Sequence, residues 1–143
     1  MALPNTQPIY SKAALAQWAV NMTAANNTID LTSGTNYPIF TADATNGSYV
    51  PGVYVKVNPS QNTAATVLRV WLNNGSSTGT DTNSVLIGEL GMPATTTSAT
   101  APQPDFYFPI NRAIPAGYKI IATLGTAPGG SGEIMAACIA GQY

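Results

Sequence analysis

The richest cluster of side-chain oxygens in the chain is "NNGSSTGTDTNS", residues 73–84, set between two apolar runs. Its Asn, Ser, Thr and Asp side chains could offer oxygens to calcium. Calcium sites usually draw on several carboxylates, and here Asp81 is the lone acid. Asn74-Gly75 is a strong turn former, because both residue types tolerate positive φ. The stretch therefore reads as a hairpin connection that turns the chain.

Other chemistry fails for want of parts. The sequence has no His, so it offers no Ser-His or Cys-His couple, no imidazole base and no His-ligated zinc. Paired carboxylates can hydrolyse glycosides. However, the six acids (Asp30, Asp43, Asp81, Glu89, Asp105 and Glu133) form no recognisable motif and fall mostly in or beside loops. "GGSG" at 129–132 lacks the Lys of a phosphate loop and precedes a strand-like run, so it reads as a turn. Cys138 stands alone among apolar residues, where a free Cys acts as a small hydrophobe. These readings give no enzyme, no cofactor and no metal. Trp18, Trp71 and several tyrosines could stack on sugar rings. Against that, Trp71 has apolar neighbours on a strand, and Trp18 reads as a candidate core residue.

The elements that must position these residues are strands. The chain has 143 residues, one domain's worth, and is 45% hydrophobic but only 8% charged, with a formal net charge of −1. Ordinary soluble domains carry about 25% charged residues. Five cations cannot track a phosphate backbone or form a polybasic membrane patch, so neither nucleic acid nor membrane is an expected partner. A surface polar through Asn, Thr, Ser and Gln repels its own copies little. "KAALAQWAVNMTAA" is interrupted by Gln17 and Asn21 and does not read as an export signal. The protein is expected to be made and kept in a cytoplasm. Residues 1–12 hold Pro4 and Pro8 without periodicity and read as an extended N-terminal arm before a single domain at 13–143.

Eight segments carry strand character: 15–24, 36–42, 49–58, 65–73, 85–91, 105–111, 118–125 and 133–140. Turn chemistry rich in Gly, Pro, Asn and Ser separates them. Residues 11–25 also bid for a helix, but the spacing of Trp18, Val20 and Met22 favours a strand. Eight strands without helices must cover their apolar faces with a second sheet or by closing into a barrel, and a sandwich fits the length best. The expected fold is all-β, a two-sheet antiparallel β-sandwich of jelly-roll type.

Alternation separates the faces. Val53, Val55 and Val57 point inward, as do Leu68, Val70 and Leu72, then Leu86 and Leu90, then Ile120, Ala122 and Leu124. The outer row then holds Tyr54, Val67, Arg69, Trp71, Ile87 and Ile121. A sheet facing water alternates apolar-in with polar-out, and an apolar outer row predicts coverage by another copy or a partner. Those six residues, with Pro4 and Pro8 of the arm, are the candidate interface.

The blocks "TVLRVWLNNGS", "LIGELGMPATTTSATA", "FPINRAIPAGYKIIATLGTA" and the closing "GQY" resemble a group of small β-rich virion proteins of tailed bacteriophages. In that group a strand ends in Asn-Asn-Gly, followed by an "LPATT"-like turn and then "PLNLALPAGYKL"-like residues. The resemblance covers residues 49–143; Met92 replaces the usual Leu before Pro93, and Arg112 stands where the pattern is more apolar. It implies a capsid decoration or cement protein, trimeric, seated on the outer shell and bound to the major capsid protein. A tail, baseplate or fibre component and a glycan- or receptor-binding module are the alternatives.

Overall fold

The structure is a computed structural model that describes residues 12–28, 30–76, 81–129 and 132–143. Eight strands lie on the eight expected segments: β1 (Ala13–Met22), β2 (Tyr37–Thr41), β3 (Ser48–Val57), β4 (Thr66–Asn73), β5 (Ser84–Met92), β6 (Asp105–Ile114), β7 (Lys119–Leu124) and β8 (Ile134–Gln142). One 3-10 turn, Asp81–Asn83, precedes β5. The helix bid at residues 11–25 loses to β1. Among the described residues no helix is long and apolar enough to cross a membrane.

The strands form two antiparallel sheets, a front sheet ordered β1-β8-β3-β6 and a back sheet ordered β2-β7-β4-β5. Pairs β1:β8, β2:β7, β3:β6 and β4:β5 nest inside one another around the β4–β5 hairpin and fall alternately in the two sheets. Side chains at both ends of the β4–β5 connection fasten the hairpin. Asn73, fully buried, donates from Nδ2 to Ser84 Oγ at 2.9 Å and accepts the Gly75 N–H at 2.9 Å. Gly75 takes φ +92°, as Asn-Gly turn chemistry predicts. Among the described residues no cluster of three or more His, Cys, Asp or Glu could hold a metal ion.

The core lies between the sheets and uses the inner rows expected of β3 and β7, with Leu68 and Val70 of β4. Val53, Val55 and Val57 of β3 meet Leu68 and Val70 of β4 and Ile120, Ala122 and Leu124 of β7, all buried. Each such side chain removed from water contributes roughly 1.5–3 kcal/mol. Cys138 sits in this core with its thiol 3.2 Å from the Gly52 carbonyl, and burial pushes its pKa up to about 12. It is packing, not a nucleophile.

One side of the sandwich is tied shut by a side chain imitating a strand. Gln17 of β1 donates from Nε2 to the Thr41 carbonyl and accepts the Thr41 N–H, both at 2.8 Å. Its amide thus satisfies the open edge of β2, as a neighbouring backbone would. On the opposite side, between β5 and β6, the Phe108 ring lies where a side chain at position 88 would project. A Cβ added to Gly88 would come within 2.3 Å of that ring.

The connection from β1 to β2, described at residues 23–28 and 30–36, packs as a strap over the outer face of the back sheet. It is fastened by the Asn26 N–H donating to the Leu124 carbonyl at 2.7 Å. Buried Asn26 donates from Nδ2 to the Asp30 carbonyl and to Asn36 Oδ1, both at 2.8 Å. Asn36 in turn donates to the Leu31 carbonyl at 3.1 Å. Gly34 takes φ +77°, and a Cβ there would meet Asn26 Cα at 2.9 Å, so the turn accepts only glycine. Asp30 Oδ1 accepts from the Thr28 hydroxyl and from the N–H and hydroxyl of Thr32, at 2.7 to 2.9 Å. These bonds, that from the Thr32 side chain foremost, favour the carboxylate and lower its pKa.

The strap makes two predictions. Leu31→Ala should cost about 2–3 kcal/mol in denaturant unfolding, within the range for buried leucines; an unchanged midpoint would mean that the strap does not press on the sheet. Because the Asp30 pKa is lowered on folding, its contribution is present above the unfolded-state value and lost as pH falls through the folded one. Hydrogen exchange of the Thr32 amide should therefore accelerate on acidification below about pH 4 relative to core amides after correction for intrinsic rates, and Asp30→Asn should abolish that dependence.

Candidate functional site

The two sheets treat their outer faces differently, and this redraws the expected interface. Trp71 and Ile121 were expected outside, open to a partner. They do lie on the outer face of the back sheet, as cross-strand neighbours, but only 7% and 0% of each is exposed. Leu31 of the strap packs on both, and the Trp71 indole donates to Thr123 Oγ1 at 3.0 Å. The chain covers this face with its own loop, so Trp71 and Ile121 leave the interface.

Arg69 and Val67 share that face and are half-buried. The Arg69 side chain is 12% exposed, folded down beside Gly125, with Nε donating to Glu89 Oε1 at 2.7 Å. Its expected place on an open interface is corrected too.

β5 departs from simple alternation. Val70 faces Gly88, whereas Trp71 faces Leu86, so Ile87 is the extra residue of a β-bulge. The bulge reverses parity beyond it. Leu86, expected inside, shares the outer face with Trp71 and is 37% exposed. Ile87 does not continue the outer row; it lines a groove between β5 and β6 with Leu72, Phe108 and Ile110. Pro4 and Pro8 lie outside the described residues, as does the expected arm except Lys12, whose N–H donates to the Gln142 carbonyl at 2.6 Å.

Tyr54 is the expected residue that remains on an open aromatic face, and the structure gives it company. On the front sheet Trp18 is paired with Ala137, Ala137 with Tyr54, and Tyr54 with Tyr107. Directly paired residues of antiparallel strands project to the same face. One row thus crosses all four strands on the outer surface, with Trp18 65%, Tyr54 50% and Tyr107 40% exposed. Trp18, read from sequence as a core candidate, is the most exposed of the large hydrophobic side chains among the described residues. Its strand shifts register between Ala19 and Met22, where Asn21 takes φ +58°; beyond the shift Met22 is fully buried.

Local packing shapes the row. The Tyr54 and Tyr107 rings pack with centroids 4.9 Å apart and planes tilted by 47°. Tyr107 lies over Gly52, where a Cβ would approach its ring to 2.6 Å. Desolvation, with the phenols of Tyr54 and Tyr49 second, raises the Tyr107 pKa, so it stays a neutral phenol at ordinary pH. Trp18 and Tyr54 stand on strands separated by β8, about 9.6 Å apart, with only the small Ala137 between them. The result is a groove of about 600 Å³ floored by Ala137 and Met135. At its end Lys56 pairs with Asp105, its direct cross-strand neighbour. That pair is solvent-exposed and contributes little to stability, but it leaves the groove without net charge.

This constellation can bury apolar surface and fix orientation with one ion pair. Among the described residues it presents no activated nucleophile and no metal set. No protein-family model, curated protein or solved structure matches the chain.

Proposed function

We propose that the chain is a non-enzymatic structural protein of a bacteriophage particle: a decoration or cement protein that binds the assembled shell and stabilises contacts between capsomers. The observation carrying this reading is the uncovered aromatic row Trp18–Tyr54–Tyr107 on a sandwich whose other outer face the chain covers at Trp71 and Ile121. A large exposed apolar patch marks an interaction surface, and Trp and Tyr are the residues that most often dominate such interfaces. The nested strand order is read as a jelly roll, and the resemblance of residues 49–143 to small phage virion proteins supplies the setting.

The mechanism is linkage. A protein that binds the assembled shell and not its free subunits stabilises the shell by mass action, by about 2.7 kcal/mol per site at a hundredfold excess over Kd. The expected partners are the major capsid protein and other copies of this chain, as a homotrimer on the outer capsid surface. A near-neutral surface lets such copies crowd together with little repulsion. A glycan- or receptor-binding module is the second reading, favoured by the same exposed aromatics, since flat rings stack on sugars.

Mass analysis of purified particles tests the proposal. Hundreds of copies per particle, with shells that disassemble more readily once the protein is stripped, are the expected result. A few dozen copies or fewer would assign it to the tail, and absence from the particle would overturn the virion reading.

A further inference from the structure

We propose that the front-sheet face is the surface through which copies of this chain associate, with Trp18 of one copy seated in the groove of the next, between Tyr54 and Met135. This rests on the reading of the chain as an oligomeric structural protein and names the contact that builds the oligomer.

Projection and cavity lie on the same face of one chain. Trp18 stands on the edge strand β1 with 65% of its surface in water. Beside it, the groove of about 600 Å³ has room for an indole, because Ala137 leaves its floor low. Trp18 cannot fill its own groove, since it forms one wall of it. A second copy can. Each chain carries one projection and one groove, so two copies offer each other complementary features.

Size and charge agree with that occupant. Four strands about 4.8 Å apart and up to ten residues long give a face of about 19 by 34 Å. In projection this approaches the roughly 800 Å² per partner of a standard interface, before side-chain relief is added. Lys56 and Asp105 neutralise one another at the groove's end, so a neutral apolar side chain meets no unpaired charge there. Met135 in the floor and Ile139, 56% exposed, extend the face with aliphatic surface. Met and aromatic side chains suit a protein interface. The Tyr54 and Tyr107 rings are tilted by 47° and are not coplanar. The back sheet offers no rival site at Trp71 and Ile121, which the strap already occupies.

The test uses the full chain in sedimentation velocity across a dilution series, with tryptophan emission followed in parallel. The wild type should associate, its emission shifting to the blue as Trp18 leaves water; buried Trp71 contributes a constant background. Trp18→Ala and Met135→Glu should each weaken association at least a hundredfold while remaining folded. A wild type that is monomeric throughout, or variants that associate as it does, would overturn the proposal. So would a blue shift driven by soluble oligosaccharide and not by protein concentration. A monomer nevertheless present in hundreds of copies on particles would defeat this contact alone and leave the structural role standing. Association through Trp18 by a protein absent from particles would do the reverse.

Discussion

A two-sheet sandwich has four faces and one core. The inner faces bury each other; each outer face must be polar, covered by the chain, or covered by something else. With only 8% charged residues, this chain has few charges with which to mark both outer faces as solvent-facing. The back sheet is resolved internally, by a strap whose Leu31 closes over Trp71 and Ile121. The front sheet is left with an aromatic row, and that imbalance governs how the molecule meets its surroundings.

The strap is a polar loop with one buried apolar side chain, and its rigidity comes from hydrogen bonds. Asn26 acts as its hub, Asp30 gathers three donors, and Gly34 permits the turn that brings them together. Such a cover orders fewer residues than a third layer would, and so costs less conformational entropy. The front sheet has no equivalent loop among the described residues. Its edge is instead tied to the other sheet by the Gln17 amide, which closes the side of the sandwich and leaves the face open.

Strand number, strand positions and the inward rows of β3 and β7 were legible because each rests on period-2 alternation between turn residues. What the sequence hid were events that break the period or add a cover. Gly88 inside "VLIGEL" was a usable signal, since an isolated glycine in a strand often marks a bulge; the bulge at Ile87 sends Leu86 outward. Asn21, a residue that tolerates positive φ, played the same part near the end of β1 and separated exposed Trp18 from buried Met22. The burial of Trp71 and Ile121 had the faintest trace, a single Leu31 within "DLTSGTN". Side-chain alternation reports which face a residue is on; it does not report what lies over that face. Of the expected interface, Tyr54 alone remains on an open aromatic face, while Trp18 and Tyr107 join it through cross-strand register that one sequence cannot supply.

The chain covers one outer face at Trp71 and Ile121, and the proposal is that the other is covered on assembly. Hydroxyl-radical footprinting of the dilute protein against the assembled particle tests it residue by residue. Trp71 should be protected in both states, and Trp18, Tyr54 and Tyr107 should react in the dilute protein and become protected in the particle. Equal labelling of Trp18 in the two states, or ready labelling of Trp71 in the dilute protein, would contradict it.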